Sequence, residues 1–436
     1  MRICMIGAGY VGLVSGVCFS EFGFHVDCID LDSERIENLN NGVIPIYEPG
    51  LDDLVARNTE AGRLFFTTDF DNTVANADVI FIAVGTPSRR GDGEADLEYV
   101  FNAARGIARV MKPGAIVVTK STVVVGTNRR IGEIIRETRP GVAFSIASNP
   151  EFLREGSAIE DFMRPDRVII GVEDEAAENA LRRLYRPLSL RDAPIVATTL
   201  ENAEIAKYAA NAFLAMKVTF INEVADLCEK SGGNVQEIAR AIGLDKRIGP
   251  KFLHAGPGFG GSCFPKDTRA FAATGKRYGA RQSLIEQVIE INETRKAAMA
   301  ERVLETLDDP RASTVAVLGI AFKPNTDDIR EAPSLTIIGE LLQAGVSVRA
   351  HDPEAMENAG KVLDKVTFCD TELEAATGAD AVVIITEWNA YRGMDLTELA
   401  GVMRGNRLID LRNVFRPDDV QSTGLRLSSI GRGNQP

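Results

Sequence analysis

The segment Gly7-Ala8-Gly9-Tyr10-Val11-Gly12 restricts the fold of this chain more than any other feature. It follows the apolar run Ile3 to Ile6 and opens a helical stretch, and Asp30 ends the next β-rich run. In that setting the first glycine permits a tight turn and the second lets backbone approach a pyrophosphate. The third lets the helix pack on the strand. The helix N-terminus then faces the phosphates. Such a turn belongs to a βαβ unit and predicts a dinucleotide cofactor. Asp30 would hold the ribose hydroxyls and repel a 2'-phosphate, which favours NAD over NADP. Arg35 is the counter-argument, because a nearby Arg can hold that phosphate, but Asp30 has the strand-end position.

The rest of the first third continues this rhythm. Short apolar runs at His25 to Asp30, Val79 to Val84, Ile116 to Thr119 and Phe144 to Ala147 alternate with helical stretches, the pattern of a parallel sheet. It returns near the C-terminus with Val315 to Leu318, Ser347 to His351, Ala381 to Thr386 and Arg407 to Asp410. Ala77-Asp78-Val79-Ile80 has a weak echo in Ala379-Asp380-Ala381-Val382. Between the two sets, Leu200 to Lys230 contains no Gly or Pro and carries apolar residues at Ile205, Ala209, Phe213, Met216, Phe220, Val224 and Leu227. That spacing predicts one long helix. It would extend roughly 45 Å, enough to bridge domains or form a dimer interface, or to run through a single core. Gly232-Gly233 ends it. The expected fold is α/β, with two doubly wound Rossmann-like domains joined by a long central helix. The expected segments are 1–198 (cofactor binding), 199–300 (helical, dimerising) and 301–436 (a second α/β domain).

Bulk properties exclude several classes. At 436 residues the chain exceeds one ordinary core, and 45% hydrophobic with 25% charged residues is the composition of a globular protein. A formal net charge of −13 argues against a nucleic-acid surface, so an anionic substrate must meet a local basic cluster. No run reaches the roughly 18 apolar residues of a membrane span. Glycines at 7, 9, 12 and 16 interrupt the start, which argues against a signal peptide. Cys4, Cys18, Cys28, Cys228, Cys263 and Cys369 form no CxxC pair, so neither a metal site nor a disulfide framework is supported. A reducing, cytoplasmic setting is expected.

Cys263 lies in Gly260-Gly261-Ser262-Cys263-Phe264-Pro265-Lys266-Asp267, with further glycines at 256 and 258. A lone Cys is more often a small hydrophobe than a nucleophile. Here the glycines expose backbone, and Lys266 can favour the thiolate. His254 raises a Cys–His hydrolase as a rival, but no papain-type or caspase-type signature surrounds Cys263. Lys207 and Asn211 share a helix face at i, i+4, with Glu204 nearby. They read either as a solvated charged face or as a pair that polarises an oxygen. Glu151 and Glu155, in Asn149 to Glu155, follow a strand and lie near its carboxyl end, where open α/β sheets bind ligands. Surface ion pairing is the alternative. Gly85-Thr86-Pro87 and Ser121-Thr122 occupy equivalent ends.

With Gly7 to Gly12, Asn149 to Glu155, Lys207 to Asn211, Gly258 to Asp267 and Ala321 to Arg330 in this order, the chain resembles the UDP-glucose/GDP-mannose dehydrogenase family along nearly its whole length. Arg247 to Leu253 and Gly258 to Asp267 are similar to the branch that acts on UDP-glucose. The resemblance implies NAD as cofactor, UDP-glucose as substrate, and a homodimer or higher homo-oligomer formed through the central segment. It implies four-electron oxidation to UDP-glucuronate through a thiohemiacetal and then a thioester on Cys263. By position in the matching motifs, Glu151 is the base for water, Thr122 and Asp267 order that water, and Lys207 and Asn211 stabilise oxyanions. Gly7, Gly9, Tyr10, Val11, Gly12, Asp30, Arg35, Thr86, Thr122, Glu155, Lys266 and Arg330 map to the cofactor site. Glu151, Phe152, Leu153, Lys207, Asn211, Arg247, Phe252, Gly260, Lys323 and Arg412 map to the substrate site, with Arg247 reaching a neighbouring subunit. One departure is Val124, where family members commonly have Pro, a change that would loosen the loop carrying Thr122.

The alternatives are a GDP-mannose or other nucleotide-sugar 6-dehydrogenase, a β-hydroxyacid dehydrogenase and a non-catalytic NAD-binding protein. A β-hydroxyacid dehydrogenase needs neither the thiol nor a second α/β domain. A binding protein has no use for Cys263, Lys207 and Glu151 together.

Overall fold

The computed structural model describes residues 1–87, 89, 93, 95–189 and 193–433. The chain divides into two compact units, Met1–Ala210 with Ala273–Ala280, and Asn211–Ala272 with Arg281–Pro436. This division falls inside the long helix, Leu200–Ser231. No helix among the described residues is long and apolar enough to cross a membrane.

The first unit is built on β1 (Arg2–Ile6), β2 (His25–Ile29), β3 (Leu64–Thr67), β4 (Val79–Ile82), β5 (Ala115–Thr119), β6 (Phe144–Ser148), β7 (Val168–Val172) and β8 (Ile195–Thr198). Their order in the sheet is β3-β2-β1-β4-β5-β6-β7-β8. All neighbours pair parallel except β6 and β7, which are antiparallel, so the sheet is mixed where the sequence predicts a parallel one. Strands β4 and β5 are buried at every position, which is why they read as unbroken apolar runs. Helix Tyr10–Glu21 is buried continuously from Gly12 to Ser20 and is covered on all sides. Its Phe19 packs against Phe81, Phe162 and Tyr185 with ring centroids 5.3, 5.1 and 5.4 Å apart.

The second unit repeats the plan with β9 (Thr314–Leu318), β10 (Ser347–His351), β11 (Val366–Phe368), β12 (Ala381–Ile384), β13 (Arg407–Asp410) and β14 (Arg426–Ser429), ordered β11-β10-β9-β12-β13-β14. Both sheets thus reverse direction of growth between their first and fourth strands, the point where such folds open a ligand crevice. The weak sequence echo has a physical cause. Asp78 accepts a 2.7 Å bond from the Arg2 N–H and Asp380 a 2.8 Å bond from the Thr314 N–H, so each carboxylate fastens the start of its unit's first strand.

The second sheet also contains a buried acidic residue, Asp352, after β10. Its carboxylate accepts from the N–H groups of Ile320 (2.6 Å), Ala321 (2.9 Å), Glu354 (3.0 Å) and Ala355 (2.9 Å), and from Nε1 of Trp388 (3.1 Å). It is fully buried, so no water can replace these bonds. Asp352→Ala strands several donors and should destabilise the second unit by about 3 kcal/mol or more. Trp388 is the single tryptophan, so its fluorescence reports this transition during urea unfolding. An unchanged midpoint would show that the carboxylate is dispensable.

Candidate active site

The turn after β1 is shaped for a dinucleotide. Gly7 has φ +101°, and a Cβ there would lie 2.7 Å from the Ala83 carbonyl oxygen. A Cβ on Gly12 would lie 1.9 Å from the carbonyl oxygen of Gly7, so helix and strand approach as closely as backbone allows. Gly9, by contrast, faces open space. It is the N-cap of helix Tyr10–Glu21 and offers no side-chain cap, which leaves the first N–H groups for an anion. The residues present therefore fit the pyrophosphate of NAD. Asp30, at the end of β2, accepts 2.9 Å bonds from the Ala8 N–H and from Arg35 Nη1. Burial acts to raise its pKa, but bonds from the Asp32 and Ala8 N–H groups and from Arg35 outweigh it and hold the carboxyl below its ordinary value. Arg35 is thus bound to the Asp30 carboxylate.

Thr86 and Thr122 come together at the ends of β4 and β5, where Thr86 Oγ1 donates 2.9 Å to the Thr122 carbonyl. The expected loosening by Val124 meets a counterforce. Glu204, buried near the start of the long helix, accepts from the N–H groups of Gly126 (2.7 Å) and Asn128 (2.8 Å) and from Asn128 Nδ2 (2.8 Å). It caps helix Thr127–Thr138 and holds the loop that Val124 belongs to.

Glu151 and Lys207 are an ion pair, Nζ to Oε1 3.0 Å, with side chains 5% and 4% exposed. The solvated-face reading of Lys207 is excluded. Burial acts to raise the pKa of Glu151, but Lys207, the Leu153 N–H at 2.5 Å and the charge of Lys120 carry it below the ordinary value. Phe152 lies under two cations, with Arg167 3.6 Å and Lys207 5.2 Å from its ring centroid. The segment after Glu151 is tied down by Glu48, which accepts from the hydroxyl of Tyr10 and from the N–H groups of Gly156 and Ala158, both at 2.7 Å. Glu155 is half-buried and bears electrostatically on Tyr10. The sequence reading did not single out Glu48, Lys120 or Tyr185. No local motif marks them.

In the second unit Cys263 immediately precedes helix Phe264–Arg277, and the Asp267 N–H bonds the Cys263 carbonyl at 2.8 Å. The positive end of that helix favours a negative sulfur. Cys263 is half-buried, whereas the other five cysteines are buried. Its Sγ lies 3.4 Å from Ser262 Oγ. One turn on, Asp267 is 1% exposed and holds Lys266 Nζ and Asn211 Nδ2, each at 2.6 Å. Lys266 Nζ is thus paired with the Asp267 carboxylate, next to the cysteine loop. A Cβ on Gly260 would lie 2.4 Å from the Glu331 carbonyl oxygen, and the Gly261 N–H bonds the Arg330 carbonyl at 2.8 Å, so the cysteine loop packs against the segment carrying Arg330. The Arg330 guanidinium is 64% exposed and bonded to Asp328 at 2.7 Å. Arg412 donates to the carbonyls of Ile385 (2.7 Å) and Phe322 (3.2 Å), beside Lys323, whose Nζ is 5.5 Å from the Phe322 ring. Phe252, at φ +66°, packs 5.9 Å from Phe264. Arg247 stands apart from these groups, 89% exposed and bonded to Asp245.

Family models cover most of the chain. Residues 1–189 match the NAD binding domain of the UDP-glucose/GDP-mannose dehydrogenase family, residues 201–294 its central domain and residues 316–417 its UDP binding domain. The chain belongs to this family. Over 435 residues it is 55% identical to the UDP-glucose 6-dehydrogenase of Rhizobium meliloti (strain 1021), a match spanning 99% of this chain and 100% of that one. It is 45% identical to UDP-glucose 6-dehydrogenase YwqF of Bacillus subtilis (strain 168), over 99% of this chain and 98% of the relative. Among solved structures, a UDP-glucose dehydrogenase from the hyperthermophilic archaeon Pyrobaculum islandicum is 42% identical with a TM-score of 0.90, over 96% of this chain and 95% of that one.

For a member of this family with Arg35 bonded to Asp30, Asp30→Ala has two expected effects. Losing a charge-assisted bond to the ribose, about 1.5–3 kcal/mol, should lower kcat/KM for NAD about ten- to a hundredfold. The freed Arg35 should raise the NADP-to-NAD ratio, and adding Arg35→Ala should cancel that rise. Steady-state kinetics with both cofactors checks the pair. An unaltered ratio would remove Asp30 from cofactor selection.

Proposed function

We propose that this protein oxidises C6 of UDP-glucose to the carboxylate of UDP-glucuronate, with two molecules of NAD each accepting one hydride. The observation that carries the four-electron reading is Cys263, half-buried at a helix N-terminus beside the buried Asp267 and Asn211 and the half-buried Lys266. The relatives' activity supports UDP-glucose as the substrate.

The chain's groups then take these roles. In the first oxidation the C6 hydroxyl gives its proton to water and the C6 carbon gives a hydride to NAD, while Lys207 and Asn211 stabilise the charge on oxygen. The thiolate of Cys263 adds to the aldehyde, forming a C–S bond. Loss of a second hydride converts the thiohemiacetal into a thioester. Glu151 takes a proton from water, with Thr122 and Asp267 ordering it, and the attack breaks the C–S bond to release the acid and the thiol. Arg412, Lys323, Phe152, Leu153, Phe252 and Gly260 hold the nucleotide sugar. Arg330, Glu155 and Lys266 complete the cofactor site with Gly7, Gly9, Tyr10, Val11, Gly12, Asp30, Arg35, Thr86 and Thr122. A Cys263 that must cycle through its reduced thiol suits a reducing compartment, which supports the cytoplasm.

NADH release from a panel of UDP- and GDP-sugars tests the substrate, with two NADH per UDP-glucose expected; a single NADH per sugar would overturn the reading. Cys263→Ala should abolish acid formation. Glu151→Gln should slow hydrolysis by roughly 10²–10⁴-fold, the usual contribution of a positioned base. An acyl adduct on Cys263 should then accumulate after a fast NADH burst, seen by intact-mass analysis. A slowed variant with neither adduct nor burst would place Glu151 before the thioester.

We further propose a homodimer formed through the central segment. Phe213, Phe220 and Leu227 recur every two turns of the long helix and are 57%, 51% and 65% exposed. Arg247, exposed on its own chain, would act in the partner's site. Phe220→Glu should lower the mass measured by light scattering, and mixing Arg247→Ala with Cys263→Ala protein should restore some activity. A Phe220→Glu variant of unchanged mass would count against this interface.

A further inference from the structure

Lys120 directly follows β5 and is only 3% exposed. Its Nζ donates to Asn149 Oδ1 and to the Tyr185 hydroxyl, each at 3.1 Å. The Tyr185 hydroxyl itself donates to Asn149 Oδ1 at 2.5 Å, and Asn149 Nδ2 donates to the Ile169 carbonyl at 2.9 Å. The rings of Phe162 and Tyr185 flank the nitrogen, with centroids 5.8 and 5.7 Å away. Among the described residues Nζ thus meets two acceptors, both uncharged. An ammonium has three N–H donors, whereas a neutral amine is fully satisfied by two.

Asn149 is two residues before Glu151, so Lys120 grips the turn that presents this carboxylate. We propose that Lys120 is a positioning residue for Glu151, fixing the turn through the Asn149 amide and setting the basicity of the carboxylate by the charge it carries. This rests on the reading of Glu151 as the base that activates water.

The ionisable groups facing Lys120 are Glu151 after β6, Lys207 on the long helix, Cys18 on helix Tyr10–Glu21 and Tyr185. Burial draws the Lys120 pKa down to about 7; the charge of Glu151 opposes this and that of Lys207 adds to it. Burial also pushes the Cys18 thiol up to about 12 and raises Tyr185, so both stay neutral where Lys120 titrates. Below neutral pH Glu151 faces two cations, Lys120 and Lys207, and is a weak base. As pH rises through neutrality Lys120 loses its charge and Glu151 becomes a stronger base.

The test is the pH dependence of acyl-enzyme hydrolysis, measured by rapid quench between about pH 6 and 9. Losing one nearby cation shifts a carboxylate by about one unit. With half of that expressed in the rate, hydrolysis by the unaltered enzyme should rise about threefold across neutrality. Lys120→Met is neutral throughout and Lys120→Arg charged throughout, so this inflection should vanish in both. Tyr185→Phe keeps the ring but removes an acceptor of the ammonium, and should move the inflection to lower pH. Gel filtration checks folding, and if the Lys120 variants do not fold, Tyr185→Phe decides. An inflection kept in Lys120→Met, or unmoved in Tyr185→Phe, overturns the proposal. The Glu151 reading is separable: if Glu151→Gln accumulates the adduct while the inflection ignores Lys120, only the role of Lys120 fails. If no adduct forms, the reading of Glu151 fails first.

Discussion

The contact between Lys207 and Glu151 organises the first unit's chemistry. Two opposite charges meet at 3.0 Å with almost no water around them. Removing one partner from such a pair costs about 3–5 kcal/mol, because the other is left charged in a medium that cannot solvate it. One turn earlier on the same helix, Glu204 holds Gly126 and Asn128. A single helical turn therefore fastens the loops after β5 and β6, the two that carry Thr122 and Glu151. Buried charge performs a task that apolar packing cannot, because loop backbone at a sheet's carboxyl end presents N–H groups that need acceptors.

How much was legible in the sequence depends on how local each cause is. The turn after β1 is written in glycine spacing, and the close approach of Gly12 to Gly7 repeats what that spacing implies. Central strands such as β5, buried on both faces, announce themselves as apolar runs. The edge strands β3, β8 and β11 did not, being short or half-exposed. The direction of β7 depends on its path from β6 and has no marker in its own residues. Cys263 was legible because glycines surround it. Periodicity placed Lys207 on a helix face without saying whether that face was wet. Lys120 reads as an ordinary solvated lysine until Asn149 and Tyr185, distant in sequence, are brought to it.

The two sheets share a strand order but use one acidic position differently. In the first, Asp30 after β2 takes two backbone N–H groups, those of Ala8 and Asp32, and one oxygen also meets Arg35. In the second, Asp352 after β10 is closed in by backbone N–H groups and an indole. One carboxylate remains partly open to a ligand, while the other is a fastening of the scaffold.

That closure gives the second sheet a direction in sequence space. A route that would convert it to a dinucleotide carrier must first withdraw Asp352 from its donors, and each such intermediate has a weakened core before it has a ligand to stabilise it. The first sheet faces no such obstacle, since a change at Asp30 disturbs few bonds. Cofactor preference can therefore drift in one half of the molecule, while the other half is confined by its own architecture to ligands that leave this carboxylate untouched.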